Sequence, residues 1–110
     1  MKISITGSRG IVQYPLNTIP QLKQATQIVS GGAKGVDTIA CLYANENNIP
    51  IVEFLPNYAL YGKAAPIKRN AQILDNSDLA IIIWDGKSRG TLSNINYCKH
   101  KNIPYLLITA

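Results

Sequence analysis

Four stretches of the 110-residue chain combine glycine with cations and hydroxyls: TGSRG at 6–10, SGGAKGVD at 30–37, PNYALYGKAAPIKRN at 56–70 and WDGKSRGT at 84–91. Glycine lets the backbone approach an anion closely, and a helix N-terminus offers unpaired N–H donors with a favourable dipole. Arg and Lys add charge-assisted bonds, the Arg ones often bidentate. One such loop is a weak sign, because short strand-to-helix turns use glycine for steric reasons alone. Several on one edge of a sheet, each with a cation, point to a phosphorylated or polyanionic ligand. Charge placement agrees: Arg9, Lys34, Lys63, Lys68, Arg69, Lys87 and Arg89 fall in these stretches against only Asp37 and Asp85, so the whole formal excess of +5 is concentrated there.

Two acids among phosphate-binding cations call for specific roles. Asp37 and Asp85 either accept hydrogen bonds from ribose hydroxyls or hold their loops by bonding backbone N–H groups and nearby cations. Trp84 reads as a strand-end core residue, and Tyr58 or Tyr61 as a mobile lid.

The elements that must position these loops follow from periodicity. Five apolar runs, KISIT at 2–6, QIVS at 27–30, IVEFL at 51–55, LAIIIW at 79–84 and PYLLIT at 104–109, suit strands buried on both faces of a parallel sheet. Val36, Ile39, Ala40 and Tyr43 recur at helical spacing, with Asn47 and Asn48 closing that helix before Pro50. Ile67, Ala71 and Leu74 mark a second helix beginning near Pro66, and Thr91, Ile95 and Cys98 a third. In the first connection, Thr18 is placed to cap a short helix with Pro20 in its first turn and Ile19, Leu22 and Ala25 facing inward. The echo of NNIPIV in KNIPYL is explained by a shared helix-to-strand junction.

Strand and helix alternate, so right-handed crossovers give a three-layer α/β open parallel sheet of expected order 3-2-1-4-5, one domain over residues 1–110. The switch point then lies between the first and fourth strands, and all four stretches emerge at the carboxyl ends of strands, where such sheets bind ligands.

Other classes find little support. The N-terminus MKISITGS has no signal-peptide apolar region and no segment approaches transmembrane length, which places the protein in the cytoplasm. Cys41 and Cys98 read as reduced core thiols, and His100 sits near a helix end, so neither a metal nor another cofactor is expected. GSRG lacks the GxGxxG fingerprint and no acid closes the second strand, which argues against a dinucleotide oxidoreductase.

GSR at 7–9, SGGAKGVDTIA at 30–40, GKAAPIKRN at 62–70 and WDGKSRGT at 84–91, in that order, resemble the SLOG superfamily, most closely its small YspA-like members. That superfamily also contains the Lonely Guy phosphoribohydrolases and the Rossmann-like core of the DNA processing protein A family. The resemblance implies a Rossmann-like sheet that binds nucleotides or nucleotide-derived ligands, often as a homodimer or larger assembly. Carried over by position, it points to Gly7, Ser8 and Arg9, to Gly31, Gly32 and Asp37, to Arg69 and Asn70, and to Gly90 and Thr91. Lonely Guy enzymes follow a PGGxGTxxE pattern whose Glu helps cleave an N-glycosidic bond. Here Gly90 and Thr91 match the GT, Lys87 and Ser88 stand in the proline–glycine run, and Asn94 occupies the Glu position. An amide cannot act as a carboxylate base.

The leading expectation is therefore a nucleotide-binding protein that senses or sequesters a nucleoside phosphate or an ADP-ribose-like molecule. Its ligand residues are Gly7, Ser8, Arg9, Gly31, Gly32, Lys34, Gly35, Asp37, Arg69, Asn70, Asp85, Lys87, Ser88, Arg89, Gly90 and Thr91. One alternative is N-glycosidic phosphoribohydrolysis using Asp37 or Asp85, and another is single-stranded DNA binding on the basic edge. The short first connection, limited by Pro15 and Pro20, is expected to leave sheet surface open to a second subunit.

Overall fold

A computed structural model describes all residues, 1–110. Five parallel strands, β1 (Lys2–Gly7), β2 (Gln27–Ser30), β3 (Ile51–Glu53), β4 (Leu79–Trp84) and β5 (Tyr105–Thr109), form one sheet in the order β3-β2-β1-β4-β5. The order is the expected one. Helix α1 (Val36–Glu46) follows β2, a short α2 (Tyr58–Tyr61) and α3 (Ala65–Asp75) follow β3, and α4 (Arg89–Lys101) joins β4 to β5.

Side-chain alternation explains why the central strands are apolar without a break. On one face, Ile3, Ile5, Ile28, Ile81 and Ile83 pack with Val36, Ala40 and Ala44 of α1. On the other, Ala80 and Ile82 pack with Leu74 of α3 and with Ile95 and Cys98 of α4. Both faces of β4 are thus covered, and each buried isoleucine contributes about 1.5–3 kcal/mol. The buried Cys98 thiol is pushed up to about 11 by desolvation, which makes it a core group rather than a nucleophile.

Three local expectations fail. The first connection forms two 3-10 turns, Leu16–Thr18 and Pro20–Gln24, instead of one capped helix; Thr18 donates its hydroxyl to Pro15 O at 2.6 Å and caps nothing. Pro15 and Pro20 lack N–H donors, so a continuous α-helical ladder is broken at the start. The connection nevertheless covers the sheet, because Leu16, Ile19 and Leu22 are all buried in the core. The third strand stops at Glu53, leaving Leu55 exposed. In α3 the inward face is Ala65, Arg69, Ile73 and Leu74, whereas Ile67 points to solvent at 65% exposure.

Gly7 closes β1 where three elements meet. A Cβ there would run into the Ile83 carbonyl and lie 2.7 Å from Val36 Cγ2, so β1, β4 and the start of α1 approach this closely only over glycine. Gly7→Ala is therefore expected to cost at least about 2 kcal/mol, the scale of forced overpacking with little room to relax. Urea unfolding checks this, and an unchanged midpoint would contradict the packing described.

Candidate functional site

The end of β1 is locked to the loop after β4 by a chain of hydroxyls. Ser8, buried, donates its N–H to Ile83 O at 3.0 Å, and its Oγ accepts the Asp85 N–H at 3.1 Å. Ser8 Oγ lies 3.4 Å from Thr91 Oγ1, which donates to Ser88 Oγ at 3.1 Å. Ser88 is the N-cap of α4 and accepts the Thr91 N–H at 3.3 Å. Asp85 Oδ1 accepts the N–H groups of Lys87 and Ser88, each at 2.8 Å, and these bonds hold its carboxyl below the usual carboxylate range. Asp85 is therefore a loop holder in this geometry. Trp84 Nε1 donates to Ser88 O at 3.0 Å, and its ring packs on the core beside α4.

The loop after β2 is built around another close approach. Gly35, at φ 78°, sits where a Cβ would come within 2.5 Å of Arg9 O, so α1 begins directly against the first loop. Asp37 in the first turn of α1 accepts the Ala33 N–H at 3.1 Å. Burial raises the Asp37 pKa, outweighing the opposing effects of that bond, of the Arg69 charge and of Ser30; Glu53 adds to the rise. The Ser30 hydroxyl itself is buried and closes no hydrogen bond within 3.5 Å.

Arg69 enters from α3 beneath this loop. It is 6% exposed, and Nη1 donates to Gly31 O at 2.7 Å and, more weakly, to Phe54 O at 3.5 Å, while Nε donates to Asn70 Oδ1 at 2.9 Å. Its Nη2 has no protein partner.

These loops enclose a cavity of about 430 Å³ at the carboxyl ends of β1 and β4, the predicted switch point and a size typical of small-molecule sites. Gly7, Arg9, Asp37, Arg69, Asn70, Asp85, Ser88, Gly90 and Thr91 line it, together with Thr6, Gly10, Ala33, Pro66, Ile67 and Asn94. Thr6 is 4% exposed and its hydroxyl has no partner. Asn94 is 7% exposed and lines the same cavity. Sequence reasoning missed Thr6, and identified Asn94 only through the resemblance. A second compartment of about 330 Å³ shares Arg9, Ala33 and Arg69 with the first and contains Gly31, Gly32 and Lys34.

Four expected ligand residues line neither space. Ser8 and Gly35 act beneath the surface, as a hydroxyl bridge and as a close-packing glycine. Lys87 and Arg89 are exposed and lie outside both compartments, because the turn held by Asp85 faces solvent there. A larger groove of about 930 Å³ runs between residues 12–17 and α1, but it holds Glu46 and no cation, so it does not suit an anion.

A family profile described as YspA, cpYpsA-related SLOG family matches residues 1–61. Among solved structures, the chain is similar to DNA processing protein A from Helicobacter pylori, described for its single-stranded DNA binding mode. The TM-score is 0.71 with 25% identity, covering 97% of this chain and 64% of that one, so the chain spans less than two thirds of that protein's length. No functionally curated protein matches the chain.

The raised Asp37 pKa sets a pH signature. Below its ordinary value of 3.8 the carboxyl is neutral in folded and unfolded chains alike, and it carries no penalty. As pH rises through the folded value, the unfolded chain has already released the proton and the fold bears the cost of the buried charge. Asp37→Asn should therefore gain thermal stability relative to the parent as pH goes from about 3.5 to 7. Melting temperatures across that range provide the check; a difference independent of pH would remove the assignment.

Proposed function

The chain belongs to the YspA, cpYpsA-related SLOG family, and from that premise we propose that it binds a nucleotide or nucleotide-derived molecule, as a sensor or sequestering protein. The ligand class is a nucleoside phosphate or an ADP-ribose-like compound, held at the carboxyl edge of the sheet. The observation that carries this reading is the unpartnered Thr6 hydroxyl buried in the wall of a polar cavity built from the glycine loops. A buried hydroxyl without a partner is costly, and a ligand or ordered water that bonds it removes the cost.

In this reading Arg9, Gly90 and Thr91 hold phosphate at the start of α4, where the first helical N–H groups have no intrahelical acceptor. Asp37 and Asn94 face ribose hydroxyls, and Asp85 keeps its loop in place. No helix is long and apolar enough to cross a membrane; a cytoplasmic homo-oligomer remains part of the proposal, supported by the family resemblance.

A second reading, single-stranded DNA binding, is favoured by the similarity to a protein described as binding it. Exposed Tyr58 and Tyr61 beside Lys63 and Lys68 add aromatic and cationic groups on the same edge.

Calorimetry with nucleoside monophosphates and ADP-ribose tests the first reading. Arg9→Ala should weaken binding at least about tenfold, the loss of one charge-assisted hydrogen bond, and Arg89→Ala less than about fivefold, as for an exposed charge. Equal effects of the two substitutions would count against the cavity as the site. Free base accumulating over hours would replace sequestering with N-glycosidic cleavage. If DNA is the ligand instead, affinity for an oligonucleotide should fall steeply with salt, with log–log slope about −0.7 per phosphate neutralised.

A further inference from the structure

The second compartment differs in character from the first. Arg9 and Arg69 form the wall it shares with the polar cavity, while Leu55, Pro56 and Tyr58 line its other side, with Lys34 also present. Leu55 is 68% and Tyr58 59% exposed, so two large apolar side chains stand in water at the rim of a cationic recess.

Their position is built into the backbone rather than being loose. β3 ends at Glu53, and the Phe54 carbonyl is engaged by Arg69. Asn57 caps α2 by accepting the Leu60 N–H at 3.1 Å. No residue of α2 is buried, so the aromatic side chains of this strap are not there to complete the core. Tyr61 is occupied differently: it lines neither compartment, and the Lys68 ammonium lies 5.9 Å from its ring centroid.

A flat aromatic ring beside aliphatic groups, next to cations, suits a heteroaromatic base whose ribose phosphate passes the shared wall into the polar cavity. Arg69 supports this placement. Its side chain is nine-tenths buried and lines both compartments, and Nη2, which bonds no protein group, leaves a cationic donor at their junction.

We propose that the second compartment is a base subsite, with Tyr58 as its stacking residue and Arg9 at the junction where the phosphate crosses into the polar cavity. The ligand is thereby a base-bearing nucleotide, not a sugar phosphate or an inorganic anion. Tyr58, not Tyr61, selects it. This rests on the anion-binding reading given above and deepens it.

The test compares adenosine 5′-monophosphate with ribose 5-phosphate by calorimetry, on the full chain and on Tyr58→Ala, Tyr58→Phe and Tyr61→Ala. The full chain should bind the nucleotide at least about fivefold more tightly than the sugar phosphate, the lower end of base–aromatic stacking. Tyr58→Ala should abolish that preference, while Tyr58→Phe and Tyr61→Ala keep it. Equal binding of the two probes by the full chain, or a preference that survives Tyr58→Ala, overturns the base subsite and leaves the anion site standing. Absence of binding to both probes overturns the two together.

Discussion

The hydrogen bond from Arg69 Nη1 to the Gly31 carbonyl, 2.7 Å long, ties the β2 half of the carboxyl edge to α3. One guanidinium reaches from α3 to the loop after β2 and to the end of β3, so three consecutive parts of the chain are fixed relative to one another. The contact requires glycine at 31: a Cβ would sit 2.7 Å from Arg69 Nη1 and 3.0 Å from Asp37 Oδ2. Taking a cation out of water is expensive unless its donors are bonded and a counter-charge is near. The carbonyls of Gly31 and Phe54, the Asn70 side chain and the nearby Asp37 carboxyl supply most of this compensation. Losing the guanidinium would leave the buried Gly31 acceptor unbonded, at roughly 1–3 kcal/mol.

The same arrangement shows why some of the molecule is legible in its sequence and some is not. Leu79–Trp84 reads as a strand because a run apolar on both parities must be covered on both faces, and it is. Thr91, Ile95 and Cys98 repeat at helical spacing and are indeed the buried side of α4. The face of α3 is misread for a definite reason. Periodicity counts apolar residues, and the residue that points inward at its centre is Arg69, so the apparent stripe through Ile67 is rotated toward solvent. A buried cation is invisible to a hydrophobic pattern. The first connection is misread because Pro20 reads as a first-turn residue of one helix, although the missing donors of Pro15 and Pro20 favour separate 3-10 turns.

Spacing and composition place the glycine loops at the carboxyl edge, where they lie, but do not resolve which side chains line the cavity. Lys87 and Arg89 share their segment with Ser88, Gly90 and Thr91, yet only the latter three line the cavity. That choice is made by the Asp85 carboxylate, which folds Lys87 and Ser88 into a turn over its own Oδ1. Thr6 reads as the end of a strand, which it is, and nothing in a strand pattern marks a buried hydroxyl that has no partner. Gly35 was read as a ligand contact, whereas its positive φ and the proximity of Arg9 make it a packing device.

The lining of the cavity bears on whether such a site would bind or cleave. Arg9 and Arg69 line it together with Asp37 and Asp85, so the formal charges of the lining cancel. They differ in environment: two backbone N–H groups hold Asp85 ionised, whereas burial raises the Asp37 pKa. Lys34 adds a cation in the adjoining compartment. A carboxylate at position 94, nine-tenths buried in the same lining, would add a further desolvated negative charge to the cavity, and that burial would push its own pKa up. The amide of Asn94 keeps hydrogen-bonding capacity at that point without the charge.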